Sequence, residues 1–271
     1  MKKKLPFLAI LLFIIGLGVW KYVHRPVKLD KQPIILGHGG MGVRSPYTLD
    51  SKRSIEVALS YPIEGTEIDV RMSSDNVLLA FHDEELPVHT GCPGKVWEKS
   101  YPELFECSHG VFHKAEPTDA LDTLLSNSWK DGTIFSLDLK PESDIDSLRL
   151  ILFKSNVTNV VNQFPQFRFL IESQDLNLLV SLKEMGVKGE LFYYAQDGES
   201  AIKSVKKKQL AGISINAANM TKQQISEAKT ANITVMIWGT GSVFSNRKFL
   251  DLDADIIQTD AIKSMVSILE R

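Results

Sequence analysis

The chain has no excess of charge of either sign: 31 Lys and Arg stand against 33 Asp and Glu, a formal charge of −2. That excludes the basic field of a nucleic-acid binder and the acidic tail that holds a basic partner. Cysteine is scarce, with only Cys92 and Cys107. In an oxidising compartment these two can close a loop of about 15 residues, worth roughly 3 kcal/mol in the chain-entropy view. Two free thiols are the other reading, and spacing alone does not choose between them. The composition, 44% hydrophobic and 24% charged, is that of a globular protein and excludes a disordered one.

Long apolar runs are also rare. One is present, from Leu5 to Trp20, preceded by Lys2, Lys3 and Lys4. As a helix it spans roughly 24 Å, a little short of a ~30 Å hydrocarbon core. It lacks small residues at its end, where the sequence reads Val19-Trp20-Lys21-Tyr22, and it lacks a cysteine to carry a lipid. These absences favour an uncleaved signal anchor or transmembrane segment over residues 1–22; a cleaved signal peptide, giving a secreted protein, is the alternative. Trp20 and Tyr22 suit the interface. The expected arrangement is a membrane-anchored protein with its globular domain exported to the periplasmic or extracellular side, joined through a polar linker, 23–32.

From residue 33 to 271 a single rhythm holds. Short runs rich in β-branched and aromatic residues alternate with amphipathic segments carrying helix caps, such as Asp175, Thr221, and Asp50 or Ser51. Strands alternating with helices imply a parallel sheet. About eight such units fit a closed (βα)8 TIM-type barrel, for which ~250 residues is typical. The run Gly37-His38-Gly39-Gly40-Met41-Gly42 resembles a dinucleotide turn, but the histidine inside it and Pro46 beyond it argue against that. Two features make the barrel irregular. Nine runs are present where eight are needed, and the gap between Val70 and Val77 is too short for a crossover helix. In addition, residues 84–118 break the rhythm and carry both cysteines with His89, His109 and His113; they read as an insertion over the barrel mouth.

Reactive groups gather at strand ends: His38, the pair Glu67 and Asp69, His82-Asp83, and the pair Asp138 and Lys140. Residues i and i+2 share a strand face, so Glu67 and Asp69 repel each other. A hard cation such as Mg²⁺ or Ca²⁺, with Asp138 as a third oxygen ligand, resolves that repulsion. Two neutral histidines near it suit acid–base catalysis, and Lys140 can stabilise a phosphoryl oxygen. Glu172 is a further polar group at the mouth, and Trp238 is either core or a substrate wall. The histidines of residues 84–118 show no zinc-type spacing.

These residues bring a family into view. His38, Glu67-Ile68-Asp69-Val70, and His82-Asp83 thirteen residues after Asp69 resemble the glycerophosphodiester phosphodiesterases. Leu137-Asp138-Leu139-Lys140, Ile237-Trp238-Gly239-Thr240 and Ile256-Ile257-Gln258-Thr259-Asp260 are similar to that family's later strands, so the resemblance covers about residues 33–267. It implies a barrel in the phosphatidylinositol phospholipase C-like superfamily. It further implies His38 and His82 as the acid–base pair, Glu67, Asp69 and Asp138 around a divalent metal, and Lys140 on phosphate. The implied reaction passes through a cyclic phosphate to glycerol phosphate and an alcohol.

Three positions depart from the family pattern. Gly39 stands where the family has arginine, a bidentate phosphate clamp for which Arg44 or Arg71 can substitute. Pro46 and Tyr47 stand in place of a Glu-Asn pair, and Asp138 replaces a longer glutamate. These bear on the substrate more than on the reaction. The competing readings are a lysophospholipase D- or sphingomyelinase D-like enzyme acting on membrane lipids, and an inactive anchored binding barrel.

Overall fold

Alternation along each strand decides what faces the barrel axis and what faces the helices. The computed structural model describes residues 4–107 and 116–271. In chain order the elements are α1 (Lys4–His24), β1 (Ile34–Gly37), α2 (Lys52–Leu59), β2 (Gly65–Met72), β3 (Leu78–Ala80), α3 (Tyr101–Glu106) and α4 (Leu121–Leu125). Then come β4 (Ile134–Leu139), α5 (Ser147–Gln163), β5 (Arg168–Ser173), α6 (Leu176–Glu184), β6 (Glu190–Ala195) and α7 (Gly198–Lys208). The chain ends with β7 (Gly212–Asn216), α8 (Lys222–Thr230), β8 (Thr234–Thr240), α9 (Val243–Leu250), β9 (Ile256–Thr259) and α10 (Ile262–Leu269).

Eight parallel strands, β1-β2-β4-β5-β6-β7-β8-β9, close on themselves because β1 pairs with both β2 and β9. This is the TIM-type barrel. The surplus run is β3. It pairs antiparallel with the far end of β2, Met72 opposite Leu78, so a tight turn suffices where a crossover helix has no room.

Residues facing outward, such as Ile68, Val70, Leu137, Ile171 and Ile215, join the helices in the main core. The inward positions begin apolar, with Leu36, Ile134, Leu170, Phe192, Met236 and Ile256 forming a plug at the strand starts. Two residues further along the same strands stand His38, Ser136, Glu172, Tyr194, Trp238 and Gln258. The period of two thus turns an apolar floor into a polar mouth.

Helix starts are fixed by side chains. Ser51 accepts from Ser54 N–H at the start of α2, Asp175 from Asn177 N–H at α6, and Thr221 from Gln224 N–H at α8. Asp50 is therefore not the cap of α2.

Cys92 and Cys107 are joined, with Cα atoms 5.9 Å apart. The segment they tie has a small core of its own, where Leu86, Val96 and Leu104 pack on Leu79 and Phe81. His109 and His113 lie outside the described residues. So do Lys2 and Lys3 of the expected anchor.

α1 runs for 21 residues, and its side chains from Ile10 to Tyr22 are exposed. Among the described residues, no helix is long and apolar enough to cross a membrane. The transmembrane segment expected from the sequence is thus not found in the fold.

Candidate active site

Ten residues line a cavity of about 140 Å³ at the C-terminal ends of the strands: His38, Glu67, Asp69, His82, Asp138, Lys140, Glu172, Tyr194, Trp238 and Gln258. The sequence singled out eight of these. Arg44 is not among them. It is exposed and donates to the Gly241 carbonyl at 3.2 Å on the rim. Arg71 lies behind the site, donating to the backbone carbonyls of His82 (2.9 Å) and Lys140 (3.3 Å). Neither arginine takes the place of the family's missing one.

His38 follows β1 directly. Its Nδ1 lies 2.8 Å from Asp260 Oδ1, which leaves Nε2 toward Glu67 Oε2 at 3.9 Å. Burial alone would push this imidazole down in pKa, but the hydrogen bond and charge of Asp260 outweigh it, and the pKa is raised. Asp260 is held in turn by Val43 N–H at 3.1 Å. Gly42, at φ +89°, lets the loop close on Asp260; a Cβ there would lie 2.3 Å from the Asp260 Cα.

His82 ends the descent from β3, its Nδ1 3.0 Å from Asp83 Oδ1. His89, from the disulfide-tied segment, brings Nε2 to 2.7 Å from Asp83 Oδ2, though not aligned as a hydrogen bond.

The carboxylates share one level of the barrel. Asp69 pairs in register with Asp138, and Asp138 with Glu172. Lys140 Nζ lies between two of them, 2.6 Å from Asp69 Oδ1 and 3.4 Å from Asp138 Oδ2. Burial raises the Asp69 carboxyl, but the charge and hydrogen bond of Lys140 together with the nearby His82 and His38 outweigh it, and its pKa is lowered. Asp138, also buried but held less closely by Lys140, is pushed up to about 7. Glu172 accepts from Ser136 Oγ at 2.5 Å and Gln258 Nε2 at 2.6 Å. It is thus satisfied by neutral donors.

Asp50 is the ligand candidate that sequence reading missed. Its Oδ1 accepts Asp69 N–H at 3.1 Å. Its Oδ2 is buried with no hydrogen-bond partner among the described residues. Carboxylate oxygens of Asp50, Glu67 and Asp69 lie within 4.8 Å of one another. Burial, then repulsion from its neighbours, raises both Asp50 and Glu67 well above the carboxylate range. An all-oxygen cluster with an orphaned buried lone pair fits a hard divalent cation. Asp50 thus joins Glu67 and Asp69 in this cluster, and Asp138 stands beside Asp69 on the neighbouring strand, with Lys140 Nζ near both.

Residues 39–264 match the glycerophosphoryl diester phosphodiesterase family. The chain belongs to that family. It is accordingly a phosphoric diester hydrolase. The fold is shared with a phosphodiesterase from Oleispira antarctica in complex with the product sn-glycerol-3-phosphate. The two are 22% identical with a TM-score of 0.76, covering 88% of this chain and 97% of that one. It is shared too with a glycerophosphodiester phosphodiesterase from Thermotoga maritima, 20% identical with a TM-score of 0.71, over 89% and 100% of the chains. No curated protein matches the sequence significantly. Enzymes of the glycerophosphoryl diester phosphodiesterase family depend on a divalent metal, and the buried acidic triad can hold one. The family's arginine cannot simply be restored at Gly39. That residue sits at φ +50°, where a Cβ would lie 2.6 Å from Leu49 Cδ2.

Asp260→Asn is expected to lower kcat by roughly 10²-fold, the lower end for a positioned acid–base group. The asparagine can present an N–H to Nδ1 and reverse the tautomer at Nε2. A pH–rate profile with an unmoved His38 limb and an unchanged kcat would count against this role.

Proposed function

We propose that this chain hydrolyses glycerophosphodiesters to glycerol phosphate and an alcohol, with His38 and His82 as the acid–base pair. The observation that carries the reading is that both histidines, Lys140 and the carboxylates line one small cavity. One histidine accepts the proton of the neighbouring glycerol hydroxyl as its oxygen bonds to phosphorus. The other gives a proton to the departing alcohol oxygen as its bond to phosphorus breaks. Water then opens the cyclic phosphate by the reverse use of the same two groups. Lys140 faces the phosphoryl oxygens.

Asp50, Glu67 and Asp69, with Asp138 beside them, would hold Mg²⁺ or Ca²⁺. The cation would neutralise charge on the phosphodiester when bound. The full-length protein, assayed for glycerol phosphate release with Mg²⁺, with Ca²⁺ and with chelator, is expected to turn over only with metal. Equal turnover in chelator would remove the metal from this reading, and no release under any condition would remove the substrate.

We also propose that the barrel is exported and held at a membrane by α1. The exposed apolar side chains of α1 support this, as does the Cys92–Cys107 bond, since disulfides persist outside reducing compartments. Protease added to intact cells should then digest the barrel; complete protection would argue for the opposite side.

A further inference from the structure

The last turn of α1 contacts the barrel. Tyr22 stacks on Phe244 with ring centroids 5.9 Å apart, and the Arg247 guanidinium lies 5.1 Å from the Tyr22 ring. Arg247 also donates to the carbonyls of Val23, at 3.1 Å, and Arg25. Phe244 lies on the first turn of α9, which starts where β8 ends, at the mouth, and Arg247 lies on its last turn. From there the chain descends the outside of the barrel. Val27 N–H meets the Ile268 carbonyl near the end of α10 at 2.8 Å, and Arg271 bonds the Pro33 carbonyl, before β1 begins at the floor. α1 therefore leaves the barrel at the rim of the mouth.

The same end of the molecule carries the other exposed large apolar side chains. Val43 follows β1, Leu148 and Ile151 open α5 after β4, and Phe244 opens α9 after β8; all are more than half exposed. Val88 and Phe105 are exposed on the disulfide-tied segment. Met185, at the end of α6, is the exception at the opposite end. Such residues scattered singly mean little, but these surround one opening, on several βα loops. Two exposed basic residues, Lys21 and Arg25, follow the apolar run of α1 before the chain descends, whereas Lys28 and Lys31 lie beyond Val27, toward the floor. Lys21 and Arg25 suit anionic headgroups beside an apolar segment buried in lipid.

We propose that the barrel mouth faces an anionic lipid surface, with α1 seated in the lipid and the rim formed by Val43, Ile151 and Phe244 against it. The inference rests on the membrane placement proposed above and adds a direction to it. Substrate then enters from the lipid–water boundary, and the floor of the barrel points away.

The test uses the full-length chain and vesicles of phosphatidylcholine and phosphatidylglycerol with brominated acyl chains. Phe244→Trp and Met185→Trp each add one tryptophan to the native background. Emission added at 244 is expected to lose about half its intensity through contact with the brominated chains, while that added at 185 is unchanged. Equal quenching at both positions, no quenching at 244, or failure of the chain to bind the vesicles would overturn the proposal.

This readout needs no turnover, so failure of the proposed reaction leaves it intact. In a second arm, Ile151→Asp combined with Phe244→Asp should slow hydrolysis of a single-chain phosphodiester lipid in these vesicles about tenfold, with a water-soluble glycerophosphodiester affected less than about twofold. Equal effects on both substrates, or no effect on either, would count against it.

Discussion

Replacing His38 or His82 with alanine is expected to lower kcat by about 10²–10⁴-fold while the barrel stays folded. The size of the effect follows from chemistry with two proton transfers in each step; loss of either group stops one of them. The fold should tolerate both changes for separate reasons. The His82 side chain is 43% exposed and is anchored through its backbone carbonyl, which accepts from Arg71. His38 is more buried, but its partner Asp260 keeps the Val43 N–H when the imidazole is gone. Measurement of kcat beside the melting temperature separates the two effects. A near-normal rate in either variant would end the role assignment for that histidine. A collapsed melting temperature would mean the loss is structural.

The second large effect is on the acidic cluster. Without metal, Asp50, Glu67 and Asp69 crowd one another in a buried place, and Lys140 compensates mainly Asp69. Binding at about 100 times Kd should stabilise the native state by roughly 2.7 kcal/mol. For a domain of this size that is a rise of ~5–10 °C in Tm. Glu67→Gln should abolish most of this rise and cost at least about 10²-fold in activity, since the ligand and its charge are both lost. In metal-free protein the same substitution should raise Tm, because it removes a like charge; its amide oxygen can still accept from Gly39 N–H, as Glu67 does at 2.8 Å.

The pH dependence gives an independent check. Asp50 and Glu67 are raised in the fold and Asp138 is pushed up to about 7. A carboxyl raised on folding binds more protons in the native state than in the unfolded one. Its stabilising contribution is therefore full below the ordinary carboxylate range and is lost as pH rises through the raised value. Metal-free protein should thus be more stable at mildly acid pH than at pH 8, and Glu67→Gln should flatten that slope. A metal-free Tm that climbs steadily from pH 5 to 8, or a metal response unchanged in Glu67→Gln, would contradict the cluster as the metal site.

Most of the site lay within reach of sequence reading because strand periodicity is local. His38, Glu67, Asp69, Asp138 and Lys140 are each placed by the i, i+2 rule on a strand whose apolar residues mark the other face. The same rule, extended from Phe192 to Tyr194 and from Ile256 through Gln258 to Asp260, also points at the residues that were overlooked. Asp260 has a legible signal, two positions beyond Gln258 in the closing motif. Asp50 has none. Beside Ser51 at a helix start it looks like a cap, and only the folded chain shows Ser51 doing that work, with the Asp50 carboxylate turned under β2. Arg44 failed in the opposite sense, since a charge near the first histidine in sequence ends on the rim, bonded to Gly241.

By itself the sequence determined the barrel, the level at which its strands turn from apolar to charged, and the residues able to carry phosphodiester chemistry. These follow from alternation, capping and residue type, all of which act within a few positions along the chain. Tertiary structure alone decided the antiparallel course of β3, the pairing of His38 with Asp260 across 222 residues, the placement of Lys140 against Asp69, and the exit of α1 at the mouth. The antiparallel course of β3 and the contact of Lys140 with Asp69 each need two neighbouring strands to pair, and the His38–Asp260 bond is made only when the last strand closes on the first. The free energy that selects such contacts belongs to the paired strands and the closed barrel and not to any one segment.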